Sequence, residues 1–177
     1  QILAENGIKP LKNLEIAIEL LEESRDIFEK ESVDYTRTLP IESQSRLKLA
    51  NMGINPTENL RAAVKIIRES KECFGPENVY FCAASSMDDG VARKNLAESG
   101  FEPIENLEIA IELFDESKKI FPKDSQEYAS VVMDEANARL HLAELGVDGL
   151  RNFQESIKLY QEGKELNKER IFDYAWV

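Results

Sequence analysis

Residues 96–107 read Leu-Ala-Glu-Ser-Gly-Phe-Glu-Pro-Ile-Glu-Asn-Leu, and the same skeleton recurs three more times. Residues 3–14 are Leu-Ala-Glu-Asn-Gly-Ile-Lys-Pro-Leu-Lys-Asn-Leu, and residues 49–60 are Leu-Ala-Asn-Met-Gly-Ile-Asn-Pro-Thr-Glu-Asn-Leu. Residues 142–153 are Leu-Ala-Glu-Leu-Gly-Val-Asp-Gly-Leu-Arg-Asn-Phe. The copies open at Leu3, Leu49, Leu96 and Leu142, so the periods are 46, 47 and 46 residues. Self-similarity at a fixed period of this size marks a repeat array, in which each unit is one supersecondary element. The odd residue of the middle period can be placed. Phe28, Phe74 and Phe121 stand 46 and 47 apart, whereas Tyr35, Cys82 and Tyr128 stand 47 and 46 apart. The insertion therefore lies near Gly75-Pro76-Glu77-Asn78, a surface-loop composition.

Each unit reads as two helices. The shorter is clearest over residues 106–121, where Leu107, Ala110, Ile111, Phe114, Ser117 and Phe121 follow helical spacing. Its equivalents are 13–28, 59–74 and 152–166. The longer helix spans about 34–52, 79–99 and 126–145 and ends at Gly53, Gly100 and Gly146, the left-handed C-terminal position. Pro10, Pro56 and Pro103 follow three residues later and stop that helix; the fourth copy has Gly149 there. Pro40 falls within the first long helix, which predicts either a kink or a helix that starts at Pro40. Residues 171–177 are expected to start a further helix, because Asp173-Tyr174-Ala175 aligns with Glu127-Tyr128-Ala129. The chain is thus expected to be one array with units 1–32, 33–78, 79–125 and 126–170, cut from a longer protein.

In the shorter helix, Ala110, Phe114, Ser117 and Pro122 place a small residue, an aromatic, a small residue and a closing proline at steps of 4, 3 and 5. Ala17, Leu21, Ser24; Ala63, Ile67, Ser70; and Ser156, Tyr160, Gly163 match in part. The longer helix carries small residues seven apart: Ser43 and Ala50, Gly90 and Ala97, Ala136 and Ala143. This pattern resembles the tetratricopeptide repeat, in a long-unit variant of 46–47 residues against the family's 34. The resemblance implies an all-α, right-handed α-solenoid of antiparallel helix hairpins, whose inner face the long helices would line. It also implies a scaffold that holds a partner protein or peptide in a concave groove.

Composition narrows the function further. Of 177 residues, 34 are Asp or Glu and 22 are Lys or Arg, a formal charge of −12. Nucleic acid and anionic membranes are therefore not expected partners, because the phosphate attraction would be reversed in sign. No apolar run approaches the ~18 residues needed to cross a bilayer. Two cysteines, Cys73 and Cys82, and one histidine, His141, supply no metal-ligand set, and free thiols suit a cytoplasmic protein. With no phosphate loop or nucleophile elbow, no enzyme is expected, and no catalytic, cofactor or metal residues are assigned.

The remaining chemistry lies on the long helices. Each carries a carboxylate followed four residues later by Arg: Glu42–Arg46, Asp89–Arg93 and Glu135–Arg139. These are either ordinary i, i+4 ion pairs or a ladder that reads a polar partner. The invariant Asn13, Asn59, Asn106 and Asn152 are expected as helix N-caps, or as a hydrogen-bond ladder between repeats. Net charge over residues 33–52, 79–98 and 126–145 runs +1, −1 and −3, so the presumed inner face grows more acidic along the chain. The candidate partner-binding residues are Asp88, Asp89, Arg93, Asp134, Glu135 and Arg139, and the expected partner segment is basic. The alternative is a structural or self-associating array that regulates an attached domain; the oligomeric state is open.

Overall fold

The computed structural model describes the backbone of residues 10–30 and 32–174 and the side chains of residues 11–30 and 32–167. Seven helices and no strand occupy the described residues: α1 (Pro10–Ile27), α2 (Val33–Asn51), α3 (Pro56–Phe74), α4 (Val79–Glu98), α5 (Pro103–Lys118), α6 (Gln126–Glu144) and α7 (Gly149–Tyr174). The fold is all-α. The helices expected to be shorter, α1, α3, α5 and α7, run 18, 19, 16 and 26 residues, and those expected to be longer, α2, α4 and α6, run 19, 20 and 19, so the expected difference in length is small and α7 reverses it; short and long name only the two alternating positions below. Residues 175–177, the end of the segment expected to start a further helix, lie outside the described residues.

The short helices start three residues earlier than the spacing predicts. Pro10, Pro56 and Pro103 open α1, α3 and α5. Proline is well suited to a first helical position: its missing N–H has no intrahelical partner to lose there, and its φ is already helical. The residue before the helix is left-handed at Asn55, Glu102 and Asp148, with φ of 40°, 41° and 41°. Asn55 and Glu102 occupy the N-cap positions and make no side-chain cap bond. Asn59, Asn106 and Asn152 therefore lie inside the first turn and are not N-caps.

Two long helices do carry side-chain caps. Ser32 Oγ accepts from the Tyr35 amide at 3.2 Å, and Ser125 Oγ accepts from the Tyr128 amide at 3.0 Å. α2 begins at Val33 and passes through Pro40, so Pro40 is not a first helical residue. α7 runs unbroken through Tyr174, so no separate helix begins at 171. Asn167-Lys168-Glu169-Arg170 contains no Gly or Pro to stop it.

The chain divides into two compact units, residues 1–85 and 86–177, with the boundary inside α4. In the first, α1 packs on α2 and α2 on α3. Leu14 and Ile18 of α1 form a buried cluster with Leu49 of α2, flanked by Leu11 and Ile54. In the second, α5 packs on α6 and α6 on α7, around buried Leu107, Phe114, Val131, Val132 and Leu142. Small residues permit the close approaches there. Gly90 of α4 faces the Phe114 ring, Gly163 of α7 faces Met133 of α6, and buried Ser156 Oγ donates to the Ala136 carbonyl at 2.9 Å.

Candidate functional site

The repeated dodecapeptide builds one joint, made three times among the described residues. After α2, the Gly53 amide donates to Ala50 O at 2.9 Å and the Ile54 amide to Leu49 O at 3.0 Å. Gly100 and Phe101 do the same to Ala97 and Leu96, and Gly146 and Val147 to Ala143 and Leu142. This is the Schellman pairing, which needs a left-handed residue at the glycine; φ is 77°, 82° and 81° there. The carbonyl of the next residue is then claimed by the invariant asparagine. Asn59 Nδ2 donates to Ile54 O at 2.9 Å, Asn106 Nδ2 to Phe101 O at 3.0 Å, and Asn152 Nδ2 to Val147 O at 2.8 Å. The asparagine thus closes the loop within one hairpin and is not a ladder between repeats.

The free oxygen of that amide links the joint to the charged residues. Asn106 Oδ1 accepts from Arg93 at 3.1 Å, and Asn59 Oδ1 accepts from Arg46 at 3.4 Å. Each arginine also donates to the carboxylate one turn back: Arg46 Nε to Glu42 at 2.7 Å, Arg93 Nε to Asp89 at 2.8 Å, and Arg139 Nε to Glu135 at 2.7 Å. These carboxylates are buried: Glu42, Asp89 and Glu135 are 0%, 3% and 1% exposed. Burial of a charge is tolerable only with counter-charge and hydrogen bonds. The preceding short helix supplies a second cation, Arg25 on Glu42 at 2.6 Å and Lys118 on Glu135. It also supplies an acid for the arginine, Glu22 for Arg46 and Asp115 for Arg139 at 4.0 Å. Two four-charge clusters of alternating sign result, each joining a short helix to the long helix after it. Burial alone would lower the Lys118 pKa; the Glu135 and Asp115 carboxylates beside it raise it above the ordinary value.

A tyrosine–glutamate bond ties each of two long helices to the short helix that follows. Tyr35 donates to Glu69, and Tyr128 donates to Glu162 at 2.8 Å. The Glu69 carboxylate holds the Tyr35 hydroxyl up to about 12. Spacing arguments missed Arg25, Glu22, Asp115, Lys118 and these glutamates. The available signal was their register: Arg25, Lys71, Lys118 and Lys164 repeat at 46, 47 and 46 residues, as do Glu23, Glu69, Glu116 and Glu162.

The six candidate residues separate into two groups. Asp89, Arg93 and Glu135 are buried and Arg139 is partly buried, all engaged in the clusters above. Asp88 and Asp134 hold equivalent positions one residue earlier on α4 and α6, and both are half-buried. Asp134 accepts from Lys94 at 2.9 Å and lines a cleft of about 300 Å³ with Gln126, Ser130, Met133 and Asn167. Among the described residues Asp88 has no ion pair, and burial pushes its carboxyl up to about 6. In the first unit, a larger cleft of about 540 Å³ is lined by Glu22, Arg25, Tyr35, Glu42, Arg46 and Glu69, among which Arg25 pairs with Glu42, Arg46 with Glu22 and Glu42, and Tyr35 with Glu69. Among the described residues no group of three or more His, Cys, Asp or Glu side chains is placed to hold a metal ion. No helix among them is long and apolar enough to cross a membrane. No family model matches the chain, and no curated protein matches it.

Proposed function

We propose that the chain is a protein-interaction scaffold, a tetratricopeptide-like right-handed α-solenoid that binds a basic protein or peptide segment through Asp88 and Asp134. The observation that supports this most is Asp88, a half-buried carboxylate with no cation among the described residues. A lysine or arginine from a partner would supply the charge that its surroundings lack. Asp134 stands at the same repeat position on the neighbouring long helix and borders a cleft. Asp89, Arg93, Glu135 and Arg139 then hold the helices that present these two acids. The reading places the protein in the cytoplasm, in keeping with Cys73 and Cys82, which form no disulfide.

A labelled basic peptide titrated against the chain tests the reading. Binding should weaken as salt rises, since exposed charges are screened over about 8 Å at physiological ionic strength. The Asp88→Asn/Asp134→Asn variant should lose most of the low-salt affinity. Equal affinity in wild type and variant would sink the assignment.

A further inference from the structure

One short helix reverses the charge that its counterparts carry. α1 has Glu15, Glu19 and Glu22, and α5 has Glu108, Glu112 and Asp115 at the same repeat positions. On α3 those positions hold Arg61, Lys65 and Arg68. Glu22 and Asp115 are the acids that pair with Arg46 and Arg139 in the two four-charge clusters, a role an arginine at 68 cannot take. The helix accepts acids at these three positions twice, so its formation does not demand cations there. Positions 61, 65 and 68 follow i, i+4, i+7 spacing, share one face of α3 and cover about 10 Å of its length. All three side chains are exposed.

That face borders a recess. Arg61, Lys65 and Arg68 line a cleft of about 540 Å³ together with Lys30, from the turn between α1 and α2. Its volume falls within the range of small-ligand sites. Lys30 is exposed as well, and neither Lys30 nor Lys65 makes an ion pair among the described residues. The acids that also line the cleft are Glu69 and Glu72, and Glu69 already accepts from the Tyr35 hydroxyl. Four cations thus line one recess of a chain whose formal charge is −12.

We propose that this cleft binds a compact small-molecule polyanion with two or more phosphate groups. A phosphate group carries up to about two negative charges against one for a carboxylate, which suits four cations in so small a volume. Arginine's planar fork pairs with two oxygens of one phosphate at a time. Arg61 and Arg68, at the two ends of the stretch, each take a phosphate, and Lys65 and Lys30 neutralise the remaining charge. The surroundings set the size of the ligand: a long polyanion such as a nucleic acid would extend into the field of the acidic chain and be repelled. This site is distinct from Asp88 and Asp134 and does not rest on their assignment.

The probe is inorganic tripolyphosphate, titrated into the intact chain in low-salt buffer and followed by calorimetry. Saturable one-to-one binding is expected, weakening as salt rises. Arg61→Glu/Lys65→Glu should lower the affinity at least about tenfold. The variant carries the residues that α1 and α5 hold at these positions, and circular dichroism checks that it stays folded. Lys30→Gln, outside the helices, should weaken binding as well. Absence of saturable binding, or binding untouched by Arg61→Glu/Lys65→Glu, overturns the proposal. Orthophosphate or citrate that binds as tightly at equal ionic strength also overturns it, because the cleft then holds an adventitious ion only. So does an acidic or doubly phosphorylated peptide that binds more tightly than tripolyphosphate, because the occupant is then a protein segment. Asp88→Asn should leave this titration unchanged, so failure here and failure of the basic-segment reading are separable.

Discussion

The Phe114 ring of α5 lies against Gly90 of α4: a Cβ placed on Gly90 would stand 2.6 Å from Phe114 Cε1. The ring is fully buried, so it has little room to give way. Gly90→Ala should therefore overpack the contact at a cost of about 1–3 kcal/mol. The roughly 1 kcal/mol by which alanine favours a helix over glycine offsets part of this. Urea denaturation checks it: the midpoint should fall, and Gly90→Ala combined with Phe114→Leu should recover part of the loss.

The asparagine joint predicts an asymmetry between substitutions. Asn106→Leu leaves the Phe101 carbonyl and the Arg93 guanidinium each without a bond they now make. A buried polar group left unsatisfied costs about 1–3 kcal/mol. Asn106→Asp keeps an acceptor for Arg93 but cannot donate to the carbonyl, so it should fall between wild type and Asn106→Leu. The same order is expected at Asn59 in thermal melts.

The cluster around Glu135 predicts a loss and a rescue. Lys118→Met with Arg139→Met removes both cations from a carboxylate that is 1% exposed. Stranding a buried charge costs about 3–5 kcal/mol. Adding Glu135→Leu should return most of the lost stability, because well-packed apolar side chains commonly replace a buried ion cluster without penalty. A triple variant no more stable than the double would show that Glu135 is not the strained group.

Asp88 predicts a pH dependence with a definite sign. Its carboxyl is raised from 3.8 to about 6 in the folded chain. The folded state therefore holds this proton more tightly than the unfolded state does. Its contribution is fully present below about pH 4 and is lost as pH rises through about 6. Asp88→Asn should remove that decline, leaving the variant more stable than wild type above pH 6 by up to about 3 kcal/mol. Denaturant midpoints measured from pH 4 to pH 7 would show the two curves diverging.

Much of this architecture is legible in the chain because the joint is built from residues with narrow conformational roles. Gly53, Gly100 and Gly146 end the long helices where their spacing says they must, since the left-handed turn admits little else. The asparagines misled because Asn is also a preferred N-cap, while Pro56 and Pro103, three residues before them, mark the true helix starts. The candidate site was half legible. Carboxylate–arginine pairs at i and i+4 can be read from spacing. Which of Asp88 and Asp89 turns inward cannot, because the two lie only about 100° apart on the helix and both carry charge. The long helices also bury Ser43, Ser45, Ser86 and Ala136, small or polar residues that blur the apolar stripe by which an inward face is recognised.

The Schellman pairing at the three joints has an effect on the freedom of the rest of the chain. The turn between two helices is set by main-chain amides and carbonyls, one glycine and one carboxamide, and asks little of the surrounding side chains. Outward positions such as Glu98, Glu108, Arg61 and Lys65 can then change identity while the hairpin keeps its angle. A unit of this kind separates the residues that set the turn from the residues that face outward. Each copy can change its outward side chains and still close the same joint.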